Sequence, residues 1–181
     1  NLLPLMGNLP IKGTPMLTDF ELLQRITAAD QTALRELYDR YFNRLSRFLL
    51  RMTGDTETVA ELINDVFLVV WQSAGRFRGD STVSTWILGV AYRKALKALK
   101  AKRTTVPLDE EDLHMTETES AAEDIAAVID KLSPIHKSVM ELTYYFGYTY
   151  KEIAEICGSP ENTIKTRMFH ARRHLKSIIE A

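Results

Sequence analysis

The sequence predicts an all-α protein made of two small helical domains that a flexible acidic linker joins. Apolar residues recur at helical steps along most of the chain, and no segment alternates in the manner of a β-strand. The stretch from Thr104 to Asp124 is rich in acidic side chains and contains no lysine or arginine. The predicted units are 1–16, a disordered extension or an expression remnant; 17–103, the first domain; 104–124, the linker; and 125–181, the second domain.

Composition narrows the class of protein before any motif is considered. The chain has 181 residues, of which 45% are hydrophobic and 26% charged, with a net charge of -1. The whole molecule is therefore not a polycation that coats DNA, although local charged patches remain. A single cysteine, Cys157, excludes an internal disulfide and favours a reducing compartment, the cytoplasm. No apolar run approaches the length of a membrane span, and the first fifteen residues lack the pattern of a secretory signal.

The first domain is predicted as four helices whose ends are marked by capping residues. Thr18 and Glu21 form a capping box that starts a short helix ending at Ala28. Asp30 then caps a long helix that Gly54 ends. A third helix starts at Asp55, and a fourth runs from near Ser84 to Arg103 after a short polar loop.

The third and fourth helices carry opposite charges on their outer faces. The apolar stripe of the third helix comprises Val59, Leu62, Ile63, Val66, Phe67 and Val70. Its opposite face holds carboxylates and amides beside two aliphatic side chains, namely Glu57, Glu61, Asn64, Asp65 and Gln72 with Leu68 and Val69. The fourth helix presents a row of cations, Arg93, Lys97 and Lys100. A carboxylate face suits a basic protein surface and a cation row suits phosphates, although each could also be an ordinary solvated helix surface.

The acidic linker has two interpretations that its composition leaves open. It could be a solubilising tether, or it could occupy a basic channel on a partner as a nucleic acid would. After it, a short helix is predicted for Ile125–Leu132. A second is predicted for Ile135–Phe146, with Val139, Leu142 and Tyr145 on the inner face.

The end of the chain has the pattern of a helix-turn-helix. Thr149 to Cys157 form the first helix, Gly158 and Ser159 the turn, and the second helix runs from Pro160 to about Ile179. Gly158 permits a positive backbone angle, Ser159 is predicted as the N-cap, and Pro160 as the first helical residue. The buried seam is predicted to contain Ile153, Ile156, Ile164, Met168, Ala171 and Leu175.

The second helix of this motif carries an excess of cations, which favours DNA over a merely solvated surface. The predicted contact residues are Glu161, Asn162, Lys165, Thr166, Arg167, Phe169, His170, Arg172 and Arg173. Lys176 adds positive charge further along the helix and is not one of the predicted contacts. His170 and His174 stand four residues apart, but no cysteine or carboxylate at ligand spacing accompanies them, so no metal site is predicted. Cys157 is interpreted as a small core residue rather than a reactive thiol.

With both halves considered, the chain resembles the extracytoplasmic-function (ECF) sigma factors of the sigma-seventy family from about Leu17 to Leu175. In the first half the resemblance rests on LRELYDRYFNRL (Leu34–Leu45), AELINDVFLVVW (Ala60–Trp71) and RFRGDSTVSTWILGVAYR (Arg76–Arg93). In the second half it rests on LSPIHKSVMEL (Leu132–Leu142) and GYTYKEIAEICGSPENTIKTRMFHARRHL (Gly147–Leu175). The order and spacing of these blocks are specific to the family.

The resemblance implies a partner for each surface and no cofactor. Sigma domain two would dock on the clamp of the largest subunit of core RNA polymerase through Glu61, Asn64, Asp65, Leu68 and Gln72. Capture of the minus-ten element as single strand would fall to Phe77, Arg78, Asp80, Ser81, Thr82, Trp86, Arg93, Lys94, Lys97 and Lys100. Sigma domain four would read the minus-thirty-five element with the contact residues named above and meet the flap of the second-largest subunit. An anti-sigma factor is also implied, and the linker would thread toward the RNA path.

Three positions depart from the family pattern. Arg93 replaces a common asparagine, Lys97 a common aspartate, and Asn162 a frequent glycine. The first two add positive charge, so backbone binding should be kept or strengthened while base choice changes.

Two other classes of function compete with a sigma factor. A helix-turn-helix regulator with a helical sensing or dimerisation domain would need a polar pocket or an extended apolar face, and neither is visible in the sequence. An enzyme would need a linked nucleophile, base and orienting group, a phosphate loop or a metal spacing, and no such motif occurs. The sequence therefore predicts a protein that is not an enzyme and does not insert into membranes.

Overall fold

The computed structural model describes residues 16–103, residue 129 and residues 132–180, and within these residues the fold is all-α, as predicted. The helices are α1 (Asp19–Thr27), α2 (Gln31–Thr53), α3 (Thr56–Ser73), α4 (Val83–Arg103), α5 (Pro134–Met140), α6 (Tyr150–Cys157) and α7 (Glu161–Ile179). The acidic segment, the predicted extension and most of the predicted helix Ile125–Leu132 lie outside the described residues.

Local capping explains where the helices of the first half begin and end. Thr18 and Glu21 form the predicted capping box, with the Thr18 amide donating to the Glu21 carboxylate at 2.7 Å. The carboxylates of Asp30 and Asp55 accept amide hydrogen bonds from the first turns of α2 and α3, as predicted. Gly54 adopts the left-handed conformation at φ 67°, which ends α2 at little steric cost. These four expectations are confirmed.

The region from α5 to α6 differs from the predicted continuous helix. The chain passes from α5 into a π-helical turn, Glu141–Tyr145, rather than continuing as α-helix to Phe146. The wider turn rotates the side chains at its end relative to an ordinary α-helix. Leu142 is fully buried, but Tyr145, which was predicted to face inward, is 55% exposed.

The helix-turn-helix is present, with two changes at its helix ends. Thr149 is the N-cap of α6 rather than its first residue, and it forms a second capping box with Glu152. Gly158 takes the predicted positive φ, 60°, in the turn. The prediction that Ser159 caps the second helix is wrong, because Pro160 occupies the cap position and offers no side-chain acceptor. The hydroxyl of Ser159 instead accepts a hydrogen bond from Arg167 at 3.4 Å.

The buried side chains of the two halves form one continuous hydrophobic cluster. Side chains of α2 and α4, such as Phe48 and Leu88, belong to it together with Leu142, Ile153 and Ile164 of the second half. α4 packs against α6, and α2 packs against α5. The described halves are therefore in direct contact, which the sequence did not predict.

Candidate functional surfaces

The outer face of α3 is exposed as predicted and borders a groove. Glu61, Asn64, Asp65, Leu68 and Gln72 are all solvent-exposed, and Leu68 has an exposed fraction of 52%. Beside them lies an open groove of about 700 Å³ between α2 and α3. Its lining residues are Gln31, Leu34, Arg35, Tyr38, Asp39, Asn64, Phe67, Leu68 and Trp71. The sequence identified the α3 side of this groove but missed the α2 side, where Leu34 and Tyr38 are half-buried.

A salt bridge connects this face to α4. The Lys94 ammonium lies 2.8 Å from a carboxylate oxygen of Asp65, and both side chains keep contact with solvent. Lys94 was predicted to contact DNA and Asp65 to contact polymerase. The structure thus joins two residues that the sequence assigned to different surfaces.

Aromatic side chains surround the loop that precedes α4. The rings of Phe77 and Trp86 are 5.4 Å apart, and Phe20 of α1 lies 6.3 Å from Phe77. Phe77 and Trp86 are half-buried, so part of each side chain remains accessible to solvent. A flipped base stacks on such a partly exposed aromatic surface.

The polar residues of the same loop remain accessible or bond locally. Arg78 and Asp80 form an exposed ion pair at 3.0 Å. The hydroxyl of Thr82 accepts the amide hydrogen of Thr85 at 3.1 Å and so caps α4, which begins at Val83, one residue before the expected start. Ser81 is half-buried, and its hydroxyl donates to the Thr82 carbonyl at 3.4 Å.

The cations of α4 extend along one side of the helix. Arg93, Lys97 and Lys100 are exposed, as the charge spacing predicted. Near the end of the helix, Lys102 bonds to Asp55, and this contact holds the pKa of the Asp55 carboxyl well below its usual range. Lys102 therefore fastens the end of α4 to the start of α3.

The second helix of the helix-turn-helix, α7, exposes most of the residues predicted to contact DNA. The exposed members are Glu161, Asn162, Lys165, Thr166, Phe169, His170, Arg172 and Arg173, and Phe169 has an exposed fraction of 62%. Lys165 pairs with Glu161 at 2.8 Å, one turn earlier. Arg172 donates to the hydroxyl of Tyr144 at 2.9 Å, which orients its guanidinium against the π-helical turn. Among the predicted contacts on α7, Arg167 alone is half-buried, and its guanidinium donates to the Ser159 hydroxyl.

The histidines of this half are close together without forming a metal cluster. The rings of His136 and His170 are 6.4 Å apart, and Nδ1 of His136 lies 3.0 Å from the Ser133 hydroxyl. Burial, aided by His170, Arg167 and His174, lowers the pKa of His136. Among the described residues no group of three or more histidine, cysteine or carboxylate side chains is arranged to hold a metal ion.

Cys157 behaves as a core residue. It is half-buried beside Tyr92, and burial raises the pKa of its thiol to about 11. At neutral pH the group is therefore a protonated thiol and a poor nucleophile.

Within the part of the chain that is described, no helix combines the length and the apolar character needed to cross a membrane.

Comparison with known families identifies both halves. Residues 37–105 match Sigma-70 region 2, and residues 122–175 match Sigma-70, region 4. The first match covers α3, α4 and most of α2, and the second contains the helix-turn-helix. Both matches in this order define a sigma factor of the sigma-70 class, and an unrelated helix-turn-helix regulator is not favoured.

Curated relatives refine this class. The chain is 27% identical over 164 residues to the ECF RNA polymerase sigma factor SigL of Mycobacterium tuberculosis, covering 84% of this chain and 92% of that protein. It is 25% identical over 172 residues to ECF sigma factor SigK of Mycobacterium bovis, covering 88% and 92%. The protein belongs to the ECF sigma factors of the sigma-70 family.

Two solved structures share the fold. CnrH, in complex with the cytosolic domain of CnrY, aligns with a TM-score of 0.66 at 18% identity, covering 90% of this chain and 97% of that one. The sigma factor RpoE of Bartonella quintana, in complex with the anti-sigma factor NepR, aligns with a TM-score of 0.62 at 18% identity, covering 81% and 98%.

Proposed function

We propose that this ECF sigma factor directs core RNA polymerase to promoters through three surfaces that sit on separate helices. The observation that carries the proposal is that exposed surfaces of distinct chemistry lie within both regions that match the sigma-70 family. The region 2 match contains an exposed acidic and aliphatic face beside a groove, and the region 4 match contains an exposed basic recognition helix. Sigma factors are initiation factors, so no catalytic residue is proposed.

The first surface is the groove between α2 and α3, which we assign to the clamp of the largest polymerase subunit. Asn64 and Leu68 border the groove, and Asp65 lies on the adjacent exposed face. Apolar walls with a carboxylate at the rim suit a basic partner helix, because the apolar floor supplies burial and the rim supplies orientation. Tyr38 and Trp71 line the same groove, and we add them to the proposed contact.

The second surface combines the aromatic cluster before α4 with the cations along it. Phe77 and Trp86 would stack on bases of the minus-ten element, while Arg93 and Lys97 would hold the backbone. Since Lys94 pairs with Asp65, we assign it a lesser share of DNA binding than the exposed Lys97.

The third surface is the exposed side of α7, which we assign to the major groove at the minus-thirty-five element. Asn162, Lys165 and Thr166 occupy its N-terminal turns, where a recognition helix meets base edges and nearby phosphates. Arg167 is excluded from direct base contact in this assignment because it turns toward Ser159.

Two further partners are proposed. The second half would meet the flap of the second-largest polymerase subunit. An anti-sigma factor would cover one or more of the three surfaces, since the sigma factor RpoE, which shares the fold, is found in complex with the anti-sigma factor NepR. The protein would act in the bacterial cytoplasm.

Run-off transcription tests the proposal most directly. The purified chain is added to core polymerase with a library of promoter fragments, and transcripts are sequenced. Transcription from a subset that shares two spaced elements is the expected result. Specific nanomolar binding of a duplex by the chain without polymerase, together with no transcription in its presence, would contradict it.

A further inference from the structure

One edge of the recognition helix α7 carries three cations that differ in their partners. Lys165, Arg172 and Lys176 recur at steps of seven and four residues, so they share this edge. Lys165 pairs with Glu161 at 2.8 Å, and Lys176 pairs with Glu180 at 3.6 Å. Arg172 has no carboxylate partner among the described residues, so its charge is not neutralised within this part of the chain.

Arg172 contacts Tyr144 of the π-helical turn instead of a carboxylate. The Nε atom of Arg172 donates to the Tyr144 hydroxyl at 2.9 Å, and the guanidinium carbon lies 5.6 Å from the centroid of the same ring. Both side chains are exposed, and Tyr144 has an exposed fraction of 61%. A tyrosine hydroxyl is neutral at physiological pH. This partner therefore fixes the direction of the guanidinium and leaves its charge intact.

The unused donors of Arg172 suit a phosphate group. With Nε bonded to Tyr144, both terminal nitrogens of the guanidinium have no hydrogen-bond acceptor among the described residues. These two nitrogens form a planar fork that matches two oxygens of one phosphate. An exposed cation that is oriented by a neutral group, and whose fork is open, has the chemistry of an anion site.

We propose that Tyr144 and Arg172 form a phosphate-binding pair that holds the DNA backbone beside the minus-thirty-five element, with Tyr144 as a positioning residue. The inference rests on the proposed function, because it requires α7 to lie in the major groove. A recognition helix in that groove has phosphates along its flanks. Lys165, which the proposed function places near phosphates, lies two turns earlier on the same edge. At about 1.5 Å per residue, Arg172 is roughly 10 Å further along the helix axis.

The contribution of Tyr144 is to order the arginine before DNA binds. A long side chain loses rotameric freedom when it is fixed on a phosphate, and this loss lowers affinity by about 2- to 13-fold for one such side chain. Because Tyr144 already holds Arg172 in the folded chain, the loss does not occur at the binding step. Removal of the Tyr144 hydroxyl should therefore weaken promoter binding within this range.

A double-mutant cycle tests the pair on a promoter found by run-off transcription. Polymerase holoenzyme with each variant is titrated with the promoter duplex between about 50 and 200 mM salt. Arg172→Ala should lower the slope of log affinity against log salt by about 0.9, the share of one phosphate contact. Tyr144→Phe, which keeps the ring, should weaken binding by about 2- to 13-fold. Added to Arg172→Ala it should have no further effect, because a positioning residue acts only through the side chain that it orients.

Tyr145→Phe is the matched control. Tyr145 belongs to the same π-helical turn, has an exposed fraction of 55%, and contacts Arg47 through its ring rather than any residue of α7. The substitution removes the same hydroxyl group one residue away and should leave promoter affinity unchanged. Thermal melting identifies any variant whose folding has changed.

Neutral backbone linkages identify the phosphate itself. Single phosphates across the minus-thirty-five element are replaced in turn by uncharged methylphosphonates. Replacement at one linkage should weaken binding of the wild type and of Tyr145→Phe. The same replacement should leave the Arg172→Ala complex unaffected, because that variant has already lost the contact.

Several results overturn the proposal. Equal affinities for Tyr144→Phe and Tyr145→Phe overturn the positioning role, and so does an equal loss from Tyr144→Phe with and without Arg172. An Arg172→Ala variant with the wild-type salt slope overturns the phosphate contact. Weaker binding of Arg172→Ala to core polymerase in the absence of DNA assigns the pair to a protein carboxylate and also overturns it. Failure of the proposed function is different, since the wild type would then start no transcript from any promoter.

Discussion

Replacing Lys165 by alanine tests the assignment of α7 to the minus-thirty-five element. Lys165 is exposed on the second turn of α7, and its only described ion-pair partner is Glu161 on the same helix, at 2.8 Å. An exposed pair of this kind contributes less than about 1 kcal/mol to folding, so the variant should fold normally. Any loss of promoter affinity would then come from the lost phosphate contact.

The expected loss follows from counterion release. Each phosphate contact contributes about 0.9 to the slope of log affinity against log salt. Between about 50 and 200 mM salt, one contact therefore changes affinity by about 3.5-fold. The ratio of wild-type to variant affinity should shrink by this factor over that range, measured as polymerase holoenzyme binding to a promoter duplex.

Lys176 provides a matched control. It lies on the same helix and also pairs with a glutamate four residues away, at 3.6 Å from Glu180. It stands eleven residues further along, or roughly 16 Å from Lys165. Lys176→Ala removes the same charge and should leave the slope unchanged. Equal slopes for the wild type and Lys165→Ala would remove this residue from the DNA surface.

Three further predictions use other parts of the molecule. Asp65→Ala should weaken binding to core polymerase while Lys94→Ala, which breaks the same salt bridge, should not; equal losses would assign the effect to the bridge itself. The pKa of His136 is lowered below its usual 6.5, so the folded state binds fewer protons than the unfolded one and stability is lost as pH falls below that value. Thermal melting of His136→Gln should therefore depend less on pH than melting of the wild type, and identical profiles would refute this. Leu142→Ala, at a fully buried site, should cost about 2–5 kcal/mol in urea unfolding, against a small effect for Leu50→Ala, which is 40% exposed.

The helix ends were predictable because their signals are local. Thr18, Asp30 and Asp55 cap their helices through side chains that reach only two or three residues ahead. Gly54 and Gly158 end helices because their own backbones tolerate positive φ. Where the local signals overlapped, the prediction shifted by one residue, as at Ser159 and Pro160. Both residue types favour a helix start, and local propensity alone does not decide which of the two takes the N-cap position.

The π-helical turn could not be predicted from periodicity. Its extra residue lets the Phe146 amide donate to the Glu141 carbonyl at 3.1 Å. The spacing of apolar residues in the sequence is nevertheless that of an ordinary α-helix. The consequence is specific, because the turn directs Tyr144 and Tyr145 outward. Tyr144 then meets Arg172, and Tyr145 meets Arg47. The same irregularity thus serves the recognition helix and the contact between the halves.

The sequence predicted the exposure of a surface where a single helix forms that surface. The exposed faces of α3 and α7 followed from helical spacing, whereas the groove beside α3 needed the position of α2. The arginine row of α2 resembles an ordinary solvated helix face, since Arg44, Arg47 and Arg51 recur at steps that surface charges also adopt. Its partners lie about a hundred residues later in the sequence, beyond the acidic segment. Only the packing of α2 against α5 brings them together, and for this reason the contact between the two halves has no local signature.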